Sequence, residues 1–225
     1  MRPLIIFGTS SFAEIAYEYF TKDSDFEVVA FTVSKEYKNN NEFLGLPLIA
    51  FEEVKKAHPP TECCMFIALT YNQMNRIRHY FYNEAKTKGY ELASYISTHA
   101  FVWDNVTYGD NVFVFEDNTI QPFVRLGANV IAWSGNHIGH HSRIGDNCFI
   151  SSHVVVSGHC DIGVNCFIGV NATIANNVII GKDSLIGAGT LIAHHIPEGS
   201  IVKGVKSSPD KSTTYAKYIN APENE

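Results

Sequence analysis

A small α/β domain followed by a parallel β-helix of triangular section is the architecture this sequence predicts. Three observations carry it. Apolar residues recur at every sixth position from Ile96 to Ile192. Charge is scarce over the same stretch, with ten charged side chains in residues 96–196 against 22 in residues 1–95. Residues 1–88 alternate short apolar runs with longer amphipathic ones, the pattern of strand–helix units.

In chain order, residues 3–8 read as an apolar strand and Thr9-Ser10-Ser11 as a turn. Residues 12–20 read as a helix with Ser10 or Ser11 as N-cap, and residues 26–33 as a second strand. Residues 45–49 are extended around Pro47. A short helix near 51–57, a buried strand at 63–69 and a helix over 73–88 complete a small parallel sheet with helices on its faces, Rossmann-like in layout. A dinucleotide site is not expected at its opening turn: a Gly-rich fingerprint needs several glycines and only Gly8 is present, and Thr32-Val33-Ser34 offers no acidic residue for a ribose.

The composition shift near residue 95 divides the chain into 1–95, 96–209 and a polar tail 210–225. From Ile96 every sixth residue is apolar through Ile192, seventeen in a row; at 45% apolar usage chance gives this about once in a million. A small or β-branched residue often follows four places on, as at Val112, Ser142, Cys148, Cys160 and Cys166. Glycine often follows directly, as at Gly139, Gly145 and Gly163. A period of six fits a triangular prism whose faces each take one hexad, about eighteen residues per turn. Both apolar and small positions point inward, and glycine is expected to permit the tight corners. Cys148, Cys160 and Cys166 are then core filler.

The 225 residues carry a net charge of −6 and five cysteines without a metal-type CxxC pair. The charge argues against broad nucleic-acid backbone binding, and no apolar run reaches membrane-spanning length. The N-terminus lacks the features of a signal peptide. Reduced thiols in a cytoplasmic protein are expected. Ten histidines against 17 Lys and Arg are the compositional oddity.

The whole of residues 3–209 resembles one group of hexapeptide-repeat acyltransferases, the nucleotide-sugar N-acetyltransferases and sialic-acid-type sugar O-acyltransferases. The resemblance rests on the strand–turn–helix opening, on Ile138-Gly139-His140-His141-Ser142-Arg143-Ile144-Gly145-Asp146, and on the exit Ile196-Pro197-Glu198-Gly199-Ser200-Ile201-Val202-Lys203-Gly204-Val205. It implies a left-handed β-helix, a hand that runs against the usual crossover rule. It also implies acetyl-CoA as acyl donor, a nucleotide-linked amino-deoxy sugar as acceptor, a homotrimer and no metal. His140 falls at the family's general base and Gly158, eighteen residues on, at the glycine whose N–H holds the oxyanion. Gly158, Val170 and Ala188 are the implied main-chain contacts of the pantetheine arm. Lys203 and Lys206 are either phosphate contacts or solvated charges. Gly8, Ser10, Ser11 and Thr32 are the implied nucleotide-sugar contacts, the alternative being a purely structural turn.

The chain departs from the family after the base, where an acidic residue usually orients the imidazole and His141 stands instead. Another group then has to orient His140, with Asn118 and Asn136 as candidates. His141 and His159, eighteen apart, share a face. His141 is a pocket or interface residue or plain surface, His137 a pocket residue or corner hydrogen-bonder, and His153 holds the equivalent hexad position on another face. His194 and His195 are expected to cap the prism's open edge, and His58, His79 and His99 to be structural. Acceptance by a sugar hydroxyl, a different acyl donor, and a non-catalytic or metal-binding β-helix are the rival readings.

Overall fold

The structure, a computed structural model, describes residues 1–204. The expectations for Val205, for Lys206 and for the tail 210–225 fall outside the described residues. The first part runs β1 (Arg2–Phe7), α1 (Ser11–Lys22), β2 (Phe26–Val33), β3 (Glu42–Phe43), β4 (Leu46–Ala50), α2 (Val54–Ala57), β5 (Cys64–Ile67) and α3 (Arg76–Thr87). The strands form one sheet in the order β3-β4-β2-β1-β5, parallel except for β3. That edge strand was not read from the sequence. It forms because Leu44 and Gly45 both take positive φ, 52° and 77°, a geometry that suits a two-residue hairpin turn.

Alternation along β1 sorts the core. Leu4 and Ile6 pack with Phe12, Ala16 and Phe20 of α1, while Ile5 and Phe7 pack with Val54 of α2 and Tyr82 and Ala85 of α3. The helix expected over 73–88 starts three residues later, because Gln73, Met74 and Asn75 are all left-handed, φ 50–66°.

From Tyr95–Ile96 (β6) to Ile201–Val202 (β23) the chain forms eighteen two-residue strands in three parallel sheets of six, five and seven. This is the left-handed parallel β-helix. Strands pair at a separation of eighteen residues, as His137 with Val155 and Ile138 with Val156, except the last pair, where Leu185 meets Ile201 at sixteen. Both inward positions are buried, Ile138, Ile144 and Ile162 at the first, Cys148, Cys160 and Cys166 at the second, and all five cysteines are free.

The expected role of the repeated glycine is corrected. Gly139, Gly145 and Gly163 do not take positive φ; the left-handed corner belongs two residues later to Asn129, His141, Asn147, His153, His159, Asn165 and Asn177, φ 57–63°. Asn, Asp and His are the non-glycine residues that best tolerate this region. Three of the ten histidines are therefore corner residues. The glycine is needed for close approach: a Cβ on Gly139 would lie 2.5 Å from the Ser157 carbonyl carbon and 2.6 Å from the Gly158 nitrogen.

The sheet with outward residues Phe113, Ile131 and Phe149 is covered by the α1 side of the α/β part. One edge of that sheet is covered by α3. Asn111, Asn129 and Asn147 stack there as an amide ladder, each joined to the next at 2.8 Å. The fully buried Arg78 donates to Asn129 Oδ1, to the carbonyls of Asn129, Asn147 and Cys148, and to Thr70 O, at 2.6–3.2 Å. Desolvation lowers its pKa to about 9, so it stays cationic at neutral pH. With one face and one edge occupied by this docking, a second edge is left free to carry chemistry.

Candidate active site

That edge is the corner between His137–Ile138 and Arg143–Ile144, and stacking places equivalent residues of successive coils along it. Pro122-Phe123, His140-His141, Gly158-His159, Asn176-Asn177 and His194-His195 succeed one another at intervals of eighteen. The His140 N–H donates to Gln121 Oε1 at 2.9 Å, which fixes the backbone that carries the imidazole. His140 Nδ1 faces His141 Nδ1 at 3.2 Å. Two facing nitrogens can share one proton, so one ring donates and the other accepts. The Nε2 edge of His140 lies over Gly158: a Cβ on Gly158 would sit 2.8 Å from Cε1 and 2.9 Å from Nε2. Only a residue without a side chain leaves that room.

His141 is itself held in a column of rings. Phe123 lies 4.5 Å from it, centroid to centroid, and His159 stacks on its other side at 4.8 Å and 17°. His140 stands almost perpendicular to both histidines. Partial desolvation, then the charges of His159 and His140, hold His141 below the usual imidazole pKa. A neutral His141 accepts a hydrogen bond and cannot supply a carboxylate's charge.

The stacked corner brings together His140, Gly158 and His141 as the sequence implied. It does not bring the proposed orienting asparagines. Asn118 and Asn136 occupy the inward small position of the hexad and are buried inside the prism, bonded to the Trp133 carbonyl. His137 is half-buried on the outer side of its strand, with no hydrogen bond to His140 among the described residues. Val170 and Ala188 are both exposed and stack eighteen apart, but on a different corner of the prism from Gly158. Lys203 is exposed. His153 lies across Gly135, whose Cβ would meet its Nδ1 at 2.5 Å. His195 Nδ1 accepts the Ile179 N–H at 3.0 Å, a capping contact, and His79 binds Asn147 Oδ1 at 3.0 Å.

Two partners escaped the sequence reading. Asn176 Oδ1 accepts the Gly158 N–H at 3.0 Å, and Gln121 holds His140. Asn176 was legible as 158 plus 18, Phe123 as 141 minus 18. Metal-ligating atoms come together in the same place, for one nitrogen each of His140, His141 and His159 lie within 4.8 Å of one another.

At the C-terminal ends of β1 and β2 a cavity of about 300 Å³ is lined by Gly8, Thr9, Ser10, Ser34, Tyr37 and Asn72, among others. Gly8 has φ 129°, and a Cβ would lie 2.9 Å from Ala68 O. Ser10 is the N-cap of α1 and makes no side-chain cap bond, so the hydroxyl is not committed to the helix. Ser11 is exposed in the first turn. Thr32 is excluded, being fully buried with its hydroxyl donated to Ile49 O at 2.9 Å.

Residues 123–158 and 159–194 each match the family model described as bacterial transferase hexapeptide, six repeats. No curated protein matches the chain. Among solved structures, the acetyltransferase domain of PglB from Neisseria gonorrhoeae in complex with acetyl coenzyme A is 22% identical, over 90% of this chain and 96% of that one, with a TM-score of 0.78. PerB from Caulobacter crescentus, in complex with CoA and GDP-perosamine, is 22% identical over 91% and 95%, with a TM-score of 0.80. WeeI from Acinetobacter baumannii is 18% identical over 91% and 97%, with a TM-score of 0.53. The two-part fold expected from the repeats is the fold of these proteins. Among the described residues no helix is long and apolar enough to cross a membrane.

Proposed function

We propose that this chain, which carries the bacterial transferase hexapeptide repeat and shares its two-part fold with sugar acetyltransferases, transfers acetyl from acetyl-CoA to the amine of a nucleotide-linked amino-deoxy sugar. The observation that carries the reading is the His140–Gly158 pair, with the free Nε2 edge of an imidazole lying against a glycine whose N–H is one coil away. In the reaction the neutral amine nitrogen attacks the thioester carbonyl carbon. His140 Nε2 takes the proton released as the C–N bond forms, and the Gly158 N–H stabilises the oxyanion. The C–S bond then breaks, and the CoA thiolate leaves and recovers the proton from His140. The products are an amide and free CoA.

His141 takes the orienting role. For Nε2 to hold the lone pair, the His140 proton sits on Nδ1 and His141 Nδ1 accepts it across 3.2 Å. The oxyanion takes the place of Asn176 Oδ1 on the Gly158 N–H, and the exposed Asn176 side chain is free to turn away. The cavity at Gly8 and Ser10, beside the N-terminus of α1, suits a nucleotide diphosphate. Residues 1–95 hold the nucleotide and 96–209 carry out transfer. Gly158 and the Val170–Ala188 column lie on different corners, an arrangement that suits a cofactor groove between neighbouring prisms and hence a homotrimer. The cytoplasm, where thiols stay reduced, suits the five free cysteines.

The test is thiol release from acetyl-CoA against a panel of nucleotide-linked 3- and 4-amino-6-deoxy sugars, with product mass as a second readout. Acetylation of at least one amine, and none of the matching hydroxy sugars, supports the proposal. Transfer to hydroxyls alone, or no transfer across the panel, refutes it.

A further inference from the structure

We propose that His140, His141 and His159 form a three-histidine site for a borderline divalent transition-metal ion such as zinc(II) or cobalt(II), and that an ion bound there stops the chain's transfer chemistry. Imidazole nitrogens suit such ions, and three protein ligands with an open fourth position make a common zinc geometry. At a zinc–nitrogen distance of 2.0–2.1 Å, tetrahedral ligands place their nitrogens about 3.3 Å apart and their ring centroids about 5.2 Å apart. Here the His140 and His141 Nδ1 atoms are 3.2 Å apart. The three ring centroids are 4.8, 5.0 and 5.3 Å apart, so the rings already stand at the corners of the required triangle.

The backbone is organised for this. His141 and His159 are left-handed corner residues, φ 60° and 58°, fixed by coil stacking whatever their side chains do. The His159 N–H donates to the His140 carbonyl at 2.9 Å, which locks the two turns in register. What remains is a rotation of the nearly parallel His141 and His159 rings about Cβ–Cγ to aim their nitrogens inward. All three residues are exposed, so the rotation takes His141 out of its stack with Phe123 and His159 without disturbing a core, and a water completes the coordination shell.

The consequence for transfer follows from electron counting. A neutral imidazole has one in-plane lone pair, and a lone pair given to a metal cannot take the proton of an attacking amine. No oxidation is involved and no covalent bond of the chain changes. Metal binding stands apart from the acetyltransfer reading, whereas the inhibition rests on it.

The experiment titrates tag-free full chain with zinc(II) in competition with a chromophoric chelator, and with cobalt(II) read by its d–d absorption. One ion per chain with micromolar affinity, and a cobalt spectrum typical of a low-coordinate nitrogen site, is expected. His159→Asn is the discriminating variant, since asparagine already takes the equivalent left-handed position at Asn177 on the same edge and at Asn147 and Asn165 on another, and the coil will fold. It is expected to weaken zinc binding on the order of tenfold or more, as loss of one ligand of three should. An unchanged zinc affinity in His159→Asn, or less than half an equivalent of zinc bound at 100-fold excess over the protein, overturns the proposal. If zinc binds as described but acetyl transfer continues undiminished in its presence, the inhibitory half fails while the site stands. A protein inactive on every acceptor but binding zinc through His159 leaves the site standing and sinks the acetyltransfer reading instead.

Discussion

Gly158→Ala separates the chemistry of the edge from its architecture. Gly158 does not take positive φ, so alanine brings no backbone strain. The three atoms nearest the new methyl all belong to His140, with Cε1 at 2.8 Å and Nε2 at 2.9 Å. Ordinary contact needs about 3.5 Å or more, so the imidazole must move by about 0.6 Å or swing away. His140 is exposed and can do so at small cost, and a surface change of this kind is usually within about 0.5 kcal/mol. Misplacing a reacting group by about 1 Å costs around a hundredfold in rate. The expected result is a melting temperature close to that of the parent with kcat down 30- to 100-fold by these estimates, measured as CoA release at saturating acetyl-CoA. A kcat within threefold of the parent would refute the claim that the Nε2 edge over Gly158 is the working part of the site.

The other predictions bear on neighbouring parts of the structure. His141→Asn keeps the left-handed corner but puts a shorter side chain opposite His140 Nδ1; kcat is expected to fall by about tenfold, the low end for a lost orienting group, with the acetyl-CoA KM unchanged, by steady-state kinetics. Arg78→Ala removes six donated bonds around the buried seam between α3 and the asparagine ladder and is expected to cost about 3–5 kcal/mol in chemical denaturation, as stripping one partner from a buried polar cluster does. Asp23 and Asp183 are both held below the usual carboxylate pKa. In each case desolvation acts upward but is outweighed, at Asp23 by bonds from Thr98 and Tyr95 and at Asp183 by Arg76 and Asn165. Their contribution to stability is therefore complete above the unfolded carboxylate pKa of about 3.9 and is lost as pH falls through the lower folded values. The melting temperature should hold steady down to about pH 5 and fall below pH 4, and the Asp183→Asn variant should show a shallower fall.

Much of this molecule is legible because its repeat is one-dimensional. A hexad that buries two of six positions determines which residues face inward, and a turn of eighteen determines which residues stack. His140 over Gly158 and His141 beside His159 follow from those two numbers. The same rules argue against Asn118 and Asn136, which the sequence reading had offered as orienting groups, since each lies four residues after an inward aliphatic, at Val114 and Ala132, and so belongs in the prism. The corner was harder to read. Glycine suggests a turn, but the φ values give the turn to the asparagine or histidine two places on and leave glycine to the contact between coils. That exchange explains part of the histidine excess, because His141, His153 and His159 do the work of asparagines. Arg78 lay beyond sequence reading. A cation in a helix normally seeks water, and only the ladder of main-chain and amide oxygens along the prism edge shows why this one is buried.

The central claim is that His140 takes the proton in acetyl transfer, and one measurement meets it directly. CoA release from acetyl-CoA is followed with the best amine acceptor of the panel, for the parent chain and for His140→Ala, with circular dichroism to show that the coils remain folded. The account predicts a loss of about 10²–10⁴ in kcat, the range for a general base, with acetyl-CoA still bound. A His140→Ala chain that is folded and turns over at the parent rate would contradict it.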